Sequence, residues 1–291
     1  YTGWNALCVS AYLEAAKVLR LKAAEHFALR SLDRILAEGW HAENGLQHVL
    51  AYSDGDAERR QISGVLDDYA FTVIACLDAY EATADLSYFN FARRISDAML
   101  HRFFDPTSGG FFDTQKTSSG EKVLGVLGTL RKPFQDSPTP AGNSAAAIAL
   151  LRLHAYTNEE ALRDKAEQTI ELIAGLAGQF GLFAATYGIA AVHLAHPHTQ
   201  IVIVGSGELA DRLYDAGVAS YSAGKAVLKL AANKAVAQNL PAALAQTIPQ
   251  LPAVKEGKTV AVICSGFTCQ PPLSDPEELT ESLHRLSLTS H

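Results

Sequence analysis

Helical periodicity that arrives in pairs constrains this chain more than any other feature. Residues 4–19 and 22–37 carry apolar positions at helical spacing, and the turn between them is short enough to make the two helices antiparallel neighbours. In a second pair, Ala70, Val73, Ile74 and Leu77 recur on one face; after Asp85, a natural N-cap, Phe91, Ile95, Ala98, Arg102 and Phe103 mark the return helix. A third starts at Gly142, Asn143 and Ser144, turns at Asn158 and returns through Leu162, Ala166, Ile170 and Ile173. Residues 183–195 supply a seventh helix. The pairs begin near Asn5, Tyr69 and Ser144, about 60 to 75 residues apart, so the chain predicts an irregular α/α repeat with long loops between pairs.

The two members of a pair differ in kind. Between Ser144 and Tyr156 only Arg152 is charged, whereas the partner segment carries Glu159, Glu160, Arg163, Asp164, Lys165 and Glu167. A helix almost free of charge is covered on most sides, and a charged amphipathic one faces water. The pattern therefore predicts the inner and outer rings of an α/α toroid over residues 1–198 rather than a simple bundle. Gly and aromatic residues in WHAENGLQHVLAYSDG and FDPTSGGFFDT predict short hairpins at one rim.

Near Pro197 the period changes. Residues 200–204, 226–230 and 259–264 read as short strands, with helices over 208–216 and 276–286, which predicts a small α/β appendage over 199–291. GSGELA after the first of these strands matches GxGxxA. The second strand ends at Leu230 and runs into Ala231, Ala232 and Asn233, so the carboxylate that would hold a ribose diol is missing and no cofactor is expected.

Composition narrows the function classes. With 48% hydrophobic and 19% charged residues the chain is built to fold, and its net charge of -7 disfavours phosphate neutralisation, so no nucleic-acid partner is expected. Cys8, Cys76, Cys264 and Cys269 are too scattered for a disulfide scaffold and lack paired CxxC spacing; a reducing, cytoplasmic setting is expected, with Cys264 and Cys269 as buried thiols rather than a redox pair. No charged leader is visible after Tyr1. Residues 172–197 contain no Asp, Glu, Lys or Arg, but Gly178, Gln179 and Gly181 interrupt them, which favours a buried helix after a turn over a membrane span.

Six strings taken in order carry a resemblance: WNAL at 4–7, LDDYAF at 66–71, GGFFDT at 109–114, DSPTPAGNSAAA at 136–147, IVIVG at 201–205 and CSGFTCQPP at 264–272. Together they resemble the C-terminal region of the YyaL / spermatogenesis-associated protein 20 family. That resemblance implies an N-terminal thioredoxin-like domain followed by a toroid related in fold to N-acylglucosamine 2-epimerases and six-hairpin glycosidases. Neither the thioredoxin-like domain nor the first toroid hairpins have a counterpart in this chain, so a partial six-hairpin barrel is expected. Relationship in fold to sugar enzymes is analogy and does not establish a reaction.

Chemistry in a toroid belongs at the tips of the inner helices, where loops converge. Asp67 and Asp68 open one tip beside Tyr69; adjacent carboxylates suit an acid and a base, and equally suit an N-cap and a first-turn residue. Asp136 sits in a proline-restrained loop leading to Asn143 and Ser144, which either bind a sugar hydroxyl or cap the helix. Trp4 and Asn5 suit a pyranose face and its hydroxyls, Trp4 being alternatively a core anchor. Arg131, beside Lys132, suits a carboxylate or phosphate or is merely solvated. His193, near a helix C-terminus that favours its protonated form, is a base or a core histidine; His196 and His198 form an HxH too sparse for a metal, and no metal is expected. Two functions stand: a carbohydrate-directed enzyme of isomerase, epimerase or glycosidase type, with Asp67, Asp68, Asp136 or His193 as acid and base and Tyr69 among the substrate contacts, or a non-catalytic binding or scaffolding module completed by N-terminal domains, a partner chain or self-association.

Overall fold

The computed structural model describes residues 1–51, 62–115, 130–222 and 224–289; positions 52–55 of the first rim string lie outside them. Helices α1 (Thr2–Leu19) and α2 (Lys22–Arg34) form one hairpin, α3 (Leu66–Thr83) and α4 (Leu86–Phe103) a second, and α5 (Gly142–Thr157) and α6 (Glu160–Ala177) a third, followed by α7 (Ala185–Ala195). Each first helix ends alike: Arg20, Ala84 and Asn158 take left-handed φ values of 55°, 56° and 61°, and each donates its N–H to the carbonyl four residues back. This cap satisfies an orphan carbonyl and turns the chain within two residues into the returning helix. The charged helices thereby fall outside. Asp85 caps α4 as its sequence suggests, accepting from Ser87 N at 2.9 Å.

Inside, α1 packs on α3, α3 on α5, and α5 on α7. Helices α3 and α5 bury residues all round, from Tyr69 through Val73 and from Gly142 through Ala147, which is why neither shows a polar face. The end helices depart from the expected inner-ring pattern. α1 buries one stripe of Ala6, Val9, Leu13 and Ala16 and leaves Trp4, Tyr12, Val18 and Leu19 exposed; α7 leaves Ile189 and Val192 exposed. They are the free edges of an open arc. The rim strings form the two-residue strands β1 (Trp40–His41) and β2 (Gly45–Leu46) and a single bridge between Phe104 and Phe111.

The α/β portion is a four-stranded sheet in the order β4-β3-β5-β6. Its strands are β3 (Thr199–Val204), β4 (Lys225–Leu230), β5 (Val260–Ser265) and β6 (Thr268–Cys269). β3 and β4 run parallel through the crossover helix α8 (Glu208–Ala219), while β5 is antiparallel to β3. The period of two assigns the faces. Val202, Val204, Leu228, Leu230, Val260 and Val262 join the ring's core, and Ile201, Ile203, Val227, Ala261 and Ile263 pack under α8 and a last helix over Pro276–Thr289, here α9. Sheet and ring thus share one core. Gln200 Nε2 donates to Ala155 O at 2.7 Å and Arg20 pairs with Asp215, so the sheet lies across the C-terminal ends of the inner helices.

Two expectations change. Cys264 and Cys269 are not separate thiols: the register of β5 and β6 sets them directly opposite, and they form a disulfide. The helix expected to be buried after the turn is instead largely open, with Ala190 its one buried residue; the uncharged stretch divides between the end of α6, a 3-10 turn over Gly181–Ala184, and α7, and among the described residues no helix is long and apolar enough to cross a membrane.

Candidate functional site at the rim of the inner helices

Because the inner helices all run the same way, their N-termini gather on one rim, where aspartates tie α1 to α3 and α5 to α7. Asp68 Oδ1 accepts from Gly3 N of α1 at 2.8 Å, and Oδ2 accepts from Val65 N at 2.9 Å and pairs with His48 Nδ1 at 2.8 Å. At 1% exposure it has nothing left to offer a ligand, and Val65 rather than Asp67 occupies the N-cap position. Its remaining effect is on His48. In the neutral tautomer whose Nδ1–H is donated to the carboxylate, Nε2 is left as an acceptor, and the side chain is 32% exposed.

Asp67, one residue earlier and so about 100° round the helix, points elsewhere. A Cβ at position 142 would come within 2.2 Å of Asp67 Oδ1, so Gly142 is what lets the carboxyl lie against the start of α5. Among the described residues no group donates a hydrogen bond to it. Burial first, then the neighbouring Asp68 and Asp113 carboxylates, raise its pKa from 3.8 to about 6, with His48 opposing them. Trp4, 60% exposed, rests on Tyr1 at 4.9 Å between ring centroids, and Tyr1 on His48 at 5.2 Å, so an aromatic row leads to the His48–Asp68 pair. Asn5 Nδ2 donates to Tyr1 O at 2.7 Å and steadies that row.

The other rim candidates are placed but spent. Asp136 accepts from Ala141 N and Thr186 N, both at 2.8 Å, and so clamps the starts of α5 and α7. Asn143 is fully buried: Oδ1 accepts from Phe111 N, while Nδ2 donates to Phe111 O and Pro133 O. Neither it nor Ser144, whose hydroxyl is buried with no partner among the described residues, caps α5, since Ala141 holds that position. Tyr69 is a core residue at 0% exposure, its hydroxyl accepting from Leu46 N at 2.9 Å and its ring edge-on to Phe103. Arg131 is exposed and its backbone N donates to Asp113 Oδ1 at 3.2 Å; Lys132 is committed to Asp105 and Gly109 O.

His193 does not join this group. It lines a cavity of about 260 Å³ at the opposite end of the ring, with Leu194, His154, His198 and Phe267. Burial, and then the charge of Arg152, lowers its pKa from 6.5 to about 4, the reverse of the protonated form expected at a helix C-terminus. Desolvation outweighs the helix dipole there. His48 escapes sequence reading because a single histidine in an irregular loop has no spacing to mark it; its only sign is that it precedes LDDYAF by one loop.

An arc of helical hairpins with its polar groups on one rim defines a protein of the α/α toroid class. In fold the chain is similar to a GH76 α-mannanase of Bacteroides thetaiotaomicron, with a TM-score of 0.51 and 17% identity over 67% of this chain and 51% of that one. In sequence it is a homologue of spermatogenesis-associated protein 20: 27% identical to the Homo sapiens protein over 97% of this chain, and 31% identical to the Mus musculus protein over 56%. The chain spans 35% of the length of the human relative and 20% of the mouse one. No family model matches it.

Proposed function

We propose that the rim site performs acid–base chemistry on a carbohydrate, with Asp67 as the proton donor, His48 Nε2 as the acceptor and Trp4 as the platform for a pyranose face. The observation that carries this reading is Asp67, a carboxyl with no hydrogen-bond donor among the described residues and a pKa of about 6 beside an Asp68-oriented imidazole. A group poised near neutrality is suited to give a proton in one step and recover it in the next. The toroid likeness to a mannanase lends a sugar substrate plausibility by analogy of fold alone.

The test is a panel of mono- and disaccharides, mannose and N-acetylglucosamine included, incubated with the chain in D2O. Deuterium entering a sugar carbon marks an isomerase or epimerase, and new reducing ends mark a hydrolase. Either signal must vanish in Asp67→Asn. No turnover and no change in melting temperature with any sugar overturns the reading.

A second reading rests on the bare edges of the arc. Trp4, Tyr12, Val18 and Leu19 on one side and Leu182, Phe183 and Ile189 on the other form apolar faces suited to further helices of the same protein or a second copy. A dye-free, strictly monomeric chain in solution removes its support.

A further inference from the structure

The cystine at the far end of the ring has no part in the rim chemistry. Cys264 and Cys269 both line the 260 Å³ cavity that His193 and His198 also line. Cys264 is only 5% exposed, whereas Cys269 is partly open, so an incoming group meets Cys269 more readily.

Two observations argue against a structural staple. The sequence separation is 5, so the bond closes a short local loop and removes less entropy from the unfolded chain, about 2 kcal/mol, than a long-range cross-link would. Strand β5 is already paired with β3 along its whole length, from Val204↔Val260 to Thr199↔Ser265, and holds its place without β6.

The cavity around the bond is walled largely by apolar side chains, with two imidazoles left uncommitted among them. Among the described residues His198 Nδ1 is buried with no hydrogen-bond partner, and the His193 ring lies against it at 6.4 Å between centroids. Burial holds both imidazoles neutral at pH 7, leaving each one N–H to donate. Leu194, Leu244 and Phe267 supply apolar walls.

We infer that Cys264–Cys269 is a thiol–disulfide exchange centre for a low-molecular-weight thiol that enters the histidine-lined cavity. A thiolate of that compound attacks Cys269 Sγ; a mixed disulfide forms, the Cys264–Cys269 bond breaks, and the electron pair leaves on Cys264 Sγ, which takes up a proton. A second thiol attacks the mixed disulfide, releasing the oxidised compound and the Cys269 thiol. Two thiols and one cystine become one small disulfide and two cysteines, and the reverse sequence reduces the small disulfide.

The test equilibrates the 291-residue chain with reduced and oxidised glutathione at varied ratio. Acid quenching, alkylation and mass spectrometry of the peptide holding both cysteines give the reduced fraction, while near-UV circular dichroism follows the fold. The expected result is a single two-electron titration with the fold kept, and glutathione reduction slowed about tenfold or more in Leu194→Trp, which fills the cavity, and in His198→Asn, which alters its polar wall. A Cys264→Ser/Cys269→Ser variant stays folded, with its melting temperature lowered by no more than a few degrees. The inference is overturned if the bond resists glutathione until the chain unfolds, if reduction and unfolding coincide, or if both folded cavity variants react at the parent rate.

Discussion

At the scale of single residues, Asp67 sets function against stability. Its folded pKa of about 6 lies above the ordinary 3.8, so the folded state holds the proton more tightly than the unfolded one. The stability this contributes is complete below pH 3.8 and disappears as the pH rises through 6. At neutral pH the ionised carboxyl therefore costs stability, about 1–2 kcal/mol once the water reaching it is allowed for. Asp67→Asn is expected to raise the melting temperature at pH 7.5 and to leave it nearly unchanged at pH 4, while abolishing any sugar turnover. His193 and His198 act with the opposite sign: their folded pKa values, lowered from 6.5 to about 4 and about 3, make stability fall as the pH drops from 6.5 toward 3. Thermal melts across that range should flatten in His193→Asn and His198→Asn.

At the scale of elements, the hairpin turn is the repeating device, and it is built against residue preference. A non-glycine residue in the left-handed region pays about 1 kcal/mol for the approach of its Cβ to the backbone. Asn158 tolerates this conformation, but Arg20 and Ala84 do not favour it. Ala84→Gly is therefore expected to raise stability by about 0.5–1 kcal/mol in denaturant melts, although glycine enlarges the unfolded ensemble. The contrast explains what the sequence could show. The third turn was legible at Asn158 because that residue type signals it, whereas Arg20 and Ala84 give no sign. The paired Asp67 and Asp68 were legible as a polar tip, but their different fates follow from the helical rotation between them and from donors contributed by Gly3 and His48, remote in sequence. Asp136 and Asn143 looked equally available because sequence does not reveal that backbone amides have already taken their oxygens. Asp136→Ala is expected to cost about 2–4 kcal/mol by orphaning Ala141 N and Thr186 N, with hydrogen exchange rising first at the start of α7.

At the scale of the whole molecule, the change of period near Pro197 marks a change of architecture without a break in the core. Seen from sequence, residues 199–291 form an appendage, because alternation along a strand does not tell which body each face meets. In the structure the Val202, Val204, Leu228 and Val262 face completes the same apolar cluster as Leu77 and Leu150 of the inner helices. The sheet also ties to the end of α5 through Gln200 to Ala155 O, and its crossover helix α8 ties to the end of α1 through Asp215 and Arg20. An arc with two open edges has few other ways to cover the C-terminal ends of its fully buried helices. A division into folding units at residue 198 would then leave each piece with an exposed half-core, a larger loss than either edge of the arc already bears. The expected outcome is one cooperative unfolding transition for the full chain, with the calorimetric and van't Hoff enthalpies equal. A chain cut after residue 198 should lose its near-UV signal and bind apolar dye, whereas two resolved transitions and a folded truncated chain would show that ring and sheet are independent.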